Sequence, residues 1–247
     1  MKIKNHIPNF ITLLNLFCGC LAIVAAFKFD LIIASYLVFA GAFFDYIDGT
    51  AARILKAKSD MGKELDSLAD VVTFGVVPSI IVYQLLIKNI TGSVFFSDYN
   101  FLIYFPFIIA LFSAIRLAKF NIDNRQTISF LGIPTPANAI FWASAPIIIY
   151  YNEHITPSTF TFFHSFLSDV FQNPYILLIM SLILSLLLII EIPLFSLKFT
   201  NFKWKNNSIR YLFLAASIIL ILLINVAALP IIIILYIVFS IIHQYFL

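Results

Sequence analysis

Long apolar runs separated by short polar clusters extend through this chain from one end to the other. Runs of about 17 to 25 residues can cross a hydrocarbon core of roughly 30 Å as α-helices. The alternating pattern of a lipid-facing barrel strand is absent, so helices are the way for a spanning backbone to satisfy its own hydrogen bonds. The pattern therefore predicts an all-α fold, a polytopic membrane helix bundle.

Polar, Pro and Gly clusters divide the sequence into about eight predicted transmembrane helices. The predicted spans are 11–27, 31–52, 66–87, 101–119, 132–151, 174–195, 210–228 and 230–247. Between the last two, Leu229-Pro230 fits either a tight turn or a kink in one continuous helix. Residues 153–173 are polar and aromatic, and we expect them to form a loop outside the membrane.

The composition excludes a soluble globular domain. Of the 247 residues, 62% are hydrophobic and only 11% are charged, and the mean hydropathy is +1.02. Such values are typical of integral membrane proteins. The expected surroundings are a lipid bilayer, and no nucleic-acid partner is expected.

The formal net charge of +3 hides a strong asymmetry of basic residues between alternate loops. Only Lys28 and Lys88 fall on one side of the predicted membrane. The other side carries Lys2, Lys4, Arg53, Lys56, Lys58, Lys63, Arg116, Lys119, Arg125, Lys198, Lys203, Lys205 and Arg210. Because basic loops stay in the cytoplasm, this side and the N-terminus are predicted to be cytoplasmic.

Four carboxylates lie at the junction of the second and third predicted spans. Asp45 and Asp48 are three residues apart, and Asp66 and Asp70 are four apart, so each pair shares one helix face. A short connection between antiparallel helices lets the two faces converge at the predicted cytoplasmic boundary. Uncompensated, the four charges would cost several kcal/mol in repulsion and desolvation.

A metal centre resolves this repulsion. Carboxylate oxygens select hard cations such as Mg²⁺, Mn²⁺ or Ca²⁺, and no His or Cys lies in the segment. Two ions about 3.5–4 Å apart can be bridged by such a set, an arrangement used for displacement at phosphorus. Gly49 and Ala52 leave space beside the first pair, and Gly62 beside the second, while Arg53 can pair with a phosphate.

These residues spell Asp-x2-Asp-Gly-x2-Ala-Arg-x8-Gly-x3-Asp-x3-Asp over positions 45–70, without a gap or substitution. The pattern resembles the signature of the CDP-alcohol phosphatidyltransferase family. The resemblance implies a six-helix membrane core over residues 1–195, with residues 196–247 forming additional C-terminal transmembrane helices. It also implies a homodimer and an active site at the cytoplasmic face.

The same resemblance implies a role for each residue of the motif. Two divalent ions, Mg²⁺ or Mn²⁺, would be held by Asp45, Asp48, Asp66 and Asp70. Asp70 would also be the catalytic general base, and CMP would be the second product. Contacts to the CDP moiety would come from Asp48, Gly49, Ala52, Arg53, Gly62 and Asn15.

Further stretches, at 8–16, 70–79, 116–121 and 132–137, resemble the members of the family that use serine. This likeness implies CDP-diacylglycerol and L-serine as substrates. The carboxylate and ammonium of serine need a cation and several acceptors near the metal centre. The candidate acceptor contacts are Thr73, Arg116, Lys119 and Asn121.

Other acceptors remain open within the same reaction class: glycerol 3-phosphate, inositol phosphate and choline. A phosphorylated acceptor favours a denser arginine cluster than this segment offers, and a choline site favours an aromatic cage. A different class, a cation transporter that uses the aspartates as ligands, is also open. Transporter ion sites usually lie at broken helices near the bilayer midplane, whereas these aspartates are predicted at one surface.

Overall fold

The computed structural model describes residues 6–57, 59–90, 100–122, 130–154, 161–195 and 204–246. The helices in these ranges are α1 (His6–Phe27), α2 (Leu31–Ile54), α3 (Asp60–Asp70), α4 (Val77–Asn89), α5 (Ile108–Ile122), α6 (Thr135–His154), α7 (Thr161–Gln172), α8 (Pro174–Ile189), α9 (Trp204–Ile224) and α10 (Ala228–Phe246). A π-helical segment, Val71–Val76, joins α3 to α4, and 3₁₀ segments at Asn100–Phe107 and Asn225–Ala227 precede α5 and α10. The predicted all-α class is confirmed.

Among the described residues, five helical segments are long and apolar enough to cross a membrane. They are His6–Phe27, Leu31–Ile54, Asp60–Asn89, Phe101–Ile122 and Asn207–Ile242. A sixth arises if α7 and α8, which meet at 86°, form one broken span. The chain is therefore an integral membrane protein.

The last of these segments is a hairpin. The Phe213 and Phe239 rings lie 6.4 Å apart, although an uninterrupted helix would separate these positions by roughly 39 Å. The chain reverses at Asn225, which has a φ of 48°. The predicted turn thus exists, but it precedes Leu229-Pro230. Pro230 lies in the first turn of α10, where the missing N–H is not needed.

The prediction of a loop over residues 153–173 is wrong for its second half, which forms α7. Phe171 is fully buried, and its ring lies 5.7 Å from that of Phe141 and 6.5 Å from that of Trp142. One apolar face on an otherwise polar and aromatic segment is sufficient to pack a short helix against α6. Residues 155–160 of the predicted loop lie outside the described residues.

Helix α6 lies at the centre of the bundle, in contact with α2, α4, α7 and α10. Residues 141–149 on this helix are all buried. At 20 residues it is about 30 Å long and overlaps the predicted span at 132–151, although it is not among the described helices that are apolar enough to cross a membrane. Because helices rather than lipid surround it, α6 carries polar side chains that a lipid-facing helix would not.

A two-stranded antiparallel pairing connects the start of α6 to the end of α8. Strand β1 (Phe130–Leu131) pairs with β2 (Pro193–Leu194). Between β1 and α6, Gly132 has a φ of 73°, and a Cβ there would lie 2.6 Å from the Leu188 carbonyl oxygen. Only glycine fits this left-handed position, so the segment before α6 is held tightly over α8.

Small residues allow α1, α2 and the π-helical segment to approach closely. A Cβ added at Gly19 would lie 2.5 Å from Thr73 Oγ1, and one at Gly41 would lie 2.6 Å from Thr73 Cγ2. Thr73 is fully buried between them and donates a hydrogen bond from Oγ1 to the Asn15 carbonyl oxygen at 3.1 Å. Close approach of small residues is a common way to pack membrane helices.

The described basic residues agree with the predicted asymmetry. Arg53, Lys63 and Lys119 lie near the ends of α2, α3 and α5 at one end of the bundle, and Lys63 Nζ donates to the Asn121 carbonyl oxygen. Lys28 and Lys88 lie at the opposite end, after α1 and near the end of α4. The predicted positions that lie outside the described residues are Lys2, Lys4, Lys58, Arg125, Lys198 and Lys203.

Replacing Gly41 by Ala tests the packing around Thr73. The new Cβ would be 2.6 Å from Thr73 Cγ2 and 2.9 Å from Asn15 Oδ1, so we expect a lower melting temperature and a loss of about 1–3 kcal/mol. Thr73→Ser removes Cγ2 and keeps the hydroxyl, so it should reduce the cost of Gly41→Ala. Gly49→Ala is the control, because nothing lies within 4 Å of a Cβ at Gly49. Equal losses with and without Thr73→Ser would contradict this packing.

Candidate active site

The short connection between α2 and α3 brings the two aspartate pairs to the same level. Asp48 lies six residues before the end of α2, and Asp66 lies six residues after the start of α3. Both are therefore about 9 Å from the connection along their helices. Ser59 caps α3, its Oγ accepting a hydrogen bond from the Gly62 N–H at 3.0 Å.

Three of the four carboxylates converge. One oxygen from each of Asp45, Asp48 and Asp66 lies within 4.8 Å of the other two. The Asp45 and Asp66 carboxyl groups lie within hydrogen-bonding reach of each other. Asp48 is only 5% exposed, and the other two are half-buried. Carboxylates this close repel one another unless a proton or a cation lies between them.

The geometry of these three residues fits a hard cation. Asp48 Oδ2 and Asp66 Oδ1 are buried and accept no hydrogen bond from any residue that the structure describes. A buried acceptor without a donor is costly. Oxygen ligands of this kind suit Mg²⁺ or Mn²⁺ rather than zinc. Asp45, Asp48 and Asp66 could therefore hold a divalent metal ion.

Asp70 lies beside this group but outside the set of three. It is 6% exposed, and Asn15 Nδ2 donates to its Oδ1 at 3.1 Å. The π-helical segment begins at the next residue and carries Thr73, which bonds to the Asn15 carbonyl oxygen. Asn15 thus links the Asp70 side chain to the α1 backbone, and π-bulges are frequent at functional sites of this kind.

Arg116 on α5 supplies a buried positive charge near Asp70. Its side chain is 7% exposed and interacts electrostatically with Asp70. Nε donates to the Ile133 carbonyl oxygen at 2.6 Å, which orients the guanidinium. Gly75 allows α5 to come this close, since a Cβ there would be 3.1 Å from Ser113 Cβ.

The residues predicted to contact CDP differ in their surroundings. The space beside Gly49 is open, so a ligand could approach the α2 backbone there. Ala52 is half-buried. Arg53 is exposed and folded against its own helix, with Nε donating to the Gly49 carbonyl oxygen at 2.9 Å. Gly62 is instead packed, since a Cβ would lie 2.9 Å from Asn9 Oδ1.

Four residues are predicted to contact the acceptor alcohol, and among the described interactions only that of Arg116 involves Asp70. Thr73 is fully buried between helices, and its hydroxyl donates to the Asn15 carbonyl oxygen on α1 and not to its own helix. Lys119 is exposed. Asn121 Nδ2 donates to Ser67 Oγ at 2.9 Å, so this side chain joins the end of α5 to α3.

Sequence reasoning missed polar residues on α1 and α6. The Thr12 hydroxyl, which donates to the Pro8 carbonyl oxygen, lies beside the Asp48 carboxyl group. Its spacing of three from Asn15 is the signal that could have found it, because such residues share a helix face. Thr135 and Asn138 are fully buried, with polar atoms that bond to nothing in the described ranges.

The family model of the CDP-alcohol phosphatidyltransferases matches residues 5–187, about three-quarters of the sequence, including every residue of the aspartate site. The chain belongs to the CDP-alcohol phosphatidyltransferase family. The resemblance inferred from the Asp45–Asp70 motif is thereby confirmed.

Relatives within the family match about half of this chain. A Bacillus subtilis protein named CDP-diacylglycerol–serine O-phosphatidyltransferase is 41% identical over 132 residues, covering 53% of this chain and 70% of that protein. Proteins of the same name from Helicobacter pylori and Methanocaldococcus jannaschii are 39% and 35% identical over 138 and 134 residues, each covering 54% of this chain. The matches span 54% and 57% of those two proteins.

Thermal unfolding with and without Mn²⁺ tests the cation site. At about 100 times its dissociation constant, the ion should stabilise the wild type by about 2.7 kcal/mol. Asp66→Asn should remove most of this stabilisation, yet leave the ion-free protein as stable or more stable, because one of three mutually repelling charges is gone. Asp60→Asn is the matched control on the first turn of α3, and it should keep the full effect. Equal stabilisation of both variants would rule out Asp66 as a ligand.

Proposed function

We propose that this phosphatidyltransferase transfers the phosphatidyl group from CDP-diacylglycerol to L-serine, giving phosphatidylserine and CMP. The observation that carries the proposal is the convergence of Asp45, Asp48 and Asp66 beside Asp70, inside the complete motif of the family. The names of the relatives from three organisms support serine as the acceptor.

In the proposed reaction, Asp70 is the general base. Its Oδ1 accepts a hydrogen bond from Asn15, so Oδ2 would take the proton from the serine hydroxyl. The serine oxygen then forms a bond to the phosphorus of the phosphatidyl group, and the bond from that phosphorus to the CMP oxygen breaks. The open backbone beside Gly49 would receive the nucleotide, with Ala52 and Arg53 following on the same helix and Arg53 bonded to the Gly49 carbonyl oxygen. Asn15, a further proposed contact, is fully buried and bonded to Asp70.

Two divalent ions, Mg²⁺ or Mn²⁺, are part of the proposal. Asp45, Asp48 and Asp66 would hold them, with Asp70 as a further ligand. When bound, they would neutralise the negative charge that develops on the leaving phosphate. Asp48 and Asp66 would position the ions, because each presents a buried carboxylate oxygen that accepts no hydrogen bond among the described residues.

Recognition of the acceptor would depend mainly on Arg116. Its buried guanidinium interacts electrostatically with Asp70, so it could bind the carboxylate of a serine whose hydroxyl faces the base. Lys119, Asn121 and Thr73 are weaker candidates, since the first is exposed and the other two are engaged in contacts between helices. The described site offers no cluster of arginines for a phosphorylated acceptor.

The site is proposed to face the cytoplasm, with the N-terminus on the same side. The basic residues at the ends of α2, α3 and α5 support this orientation. Residues 1–195 would form the catalytic core, and residues 196–247, which include the hairpin of α9 and α10, would be an addition to it. A homodimer is expected from the family resemblance.

Release of CMP by the purified protein tests the acceptor. The protein is incubated with CDP-diacylglycerol, Mn²⁺ or Mg²⁺, and serine, glycerol 3-phosphate, inositol phosphate or choline in turn. We expect CMP release to depend on serine. Release with another acceptor, or without any acceptor, would contradict the serine assignment, and metal flux in liposomes without CMP release would favour a transporter.

Asp70→Asn tests the proposed base. Since a positioned base contributes about 10²–10⁴-fold, we expect kcat to fall by at least about 100-fold while binding of CDP-diacylglycerol is largely kept. Asp60→Asn neutralises an exposed carboxylate ten residues earlier on α3 and should keep nearly full activity. Turnover by Asp70→Asn that matches this control would remove the base from the mechanism.

A further inference from the structure

A cavity of about 410 Å³ lies at the end of the bundle opposite to the aspartates. It is formed where α1 turns into α2 and where α4 and α6 end. Asp30, on its rim, precedes Asp45 by 15 residues, about 22 Å along α2. The cavity is therefore separate from the site of phosphatidyl transfer.

The cavity contains one buried polar atom that lacks a donor. Gln84 lines it, is 3% exposed, and its Oε1 accepts no hydrogen bond within the described ranges. Leaving such an acceptor unpaired typically costs about 1–3 kcal/mol. This atom therefore indicates a ligand that carries an N–H or O–H donor.

Charges of both signs surround this buried acceptor. Lys88 lies one turn beyond Gln84 on α4, Asp30 caps α2, and Glu153 lies in the last turn of α6. No ion pair joins Lys88 to either carboxylate in the described structure, so the lysine and both carboxylates remain available to a ligand. A ligand that matches all of these groups carries a donating cation and an anion.

We propose that this cavity binds the headgroup of an aminophospholipid, with its ammonium beside Gln84 and the two carboxylates and its phosphate on Lys88. A primary ammonium has three N–H groups, enough for Gln84 Oε1, Asp30 and Glu153. Lys88 binds the phosphate as a point charge. The assignment is independent of the reaction proposed for the aspartate site.

The rest of the lining favours a lipid over a soluble compound. Leu31, Leu85 and Ile149 supply apolar walls, and Tyr150 is 41% exposed at the rim. Tyrosine is enriched at membrane–water boundaries. The cavity also lies at helix ends, where the headgroups of the opposite leaflet would be. The volume is within the usual range of about 300–1,000 Å³ for ligand pockets.

Native mass spectrometry of the purified full chain with defined lipids tests the proposal. Phosphatidylethanolamine should be retained at least tenfold better than phosphatidylcholine, whose quaternary ammonium has no N–H, and than phosphatidylglycerol, which has no cation. Lys88→Gln and Glu153→Gln should each abolish this preference. Lys28→Gln is the matched control, because Lys28 is an exposed lysine at the same end of the bundle and does not line the cavity.

A Gln84→Leu variant tests the buried acceptor, and it should also lose the preference for phosphatidylethanolamine. Because Lys88 and Glu153 are exposed, their variants give an answer even if Gln84→Leu does not fold. Equal retention of the three lipids, or an unchanged preference in Lys88→Gln, would overturn the proposal. Binding of soluble phosphoethanolamine as tightly as the lipid would contradict a lipid site. CMP release should be unaffected by Lys88→Gln, so the lipid site and the proposed transfer reaction can be refuted independently.

Discussion

The repulsion among Asp45, Asp48 and Asp66 is the constraint on which the functional half of this bundle depends. Three carboxylate oxygens within 4.8 Å, with little exposure to water, are stable together only if protons or cations separate them. Membrane proteins rarely tolerate such groups without a function. The connection from α2 to α3 places the two aspartate pairs at the same height along their helices, so it creates this repulsion and a site that could hold a cation.

The packing of α1 against α2 and the π-helical segment positions the fourth aspartate. Gly19 and Gly41 leave space that Thr73 fills, Thr73 bonds to the Asn15 backbone, and the Asn15 side chain bonds to Asp70. A proposed catalytic base is thus oriented by backbone packing and two hydrogen bonds. On the other side, the close approach at Gly75 brings the guanidinium of Arg116 near the same carboxyl group.

The sequence was sufficient to predict the helical class and the convergence of the aspartates, because periodic spacing decides which side chains share a helix face. The ligand contacts proposed for Gly62, Thr73 and Asn121 stay predictions, but the sequence was not sufficient to predict the packing roles of these residues between helices. Those roles depend on contacts between residues about 50 or more positions apart. Helix α7 was missed because only one short face of it is buried. The turn before α10 was expected at Leu229-Pro230 because proline is the stronger helix breaker, whereas the chain reverses at Asn225, a residue type that tolerates the left-handed conformation.

The central claim is that these aspartates bind divalent cations as a group. Its most direct test is diffraction from crystals grown with Mn²⁺, with data collected at the manganese absorption edge. We predict anomalous density between Asp45, Asp48 and Asp66, with oxygen distances of about 2.0–2.3 Å, slightly longer than those typical of Mg²⁺. Well-ordered aspartates without anomalous density between them, or Mn²⁺ bound only elsewhere, would contradict the account.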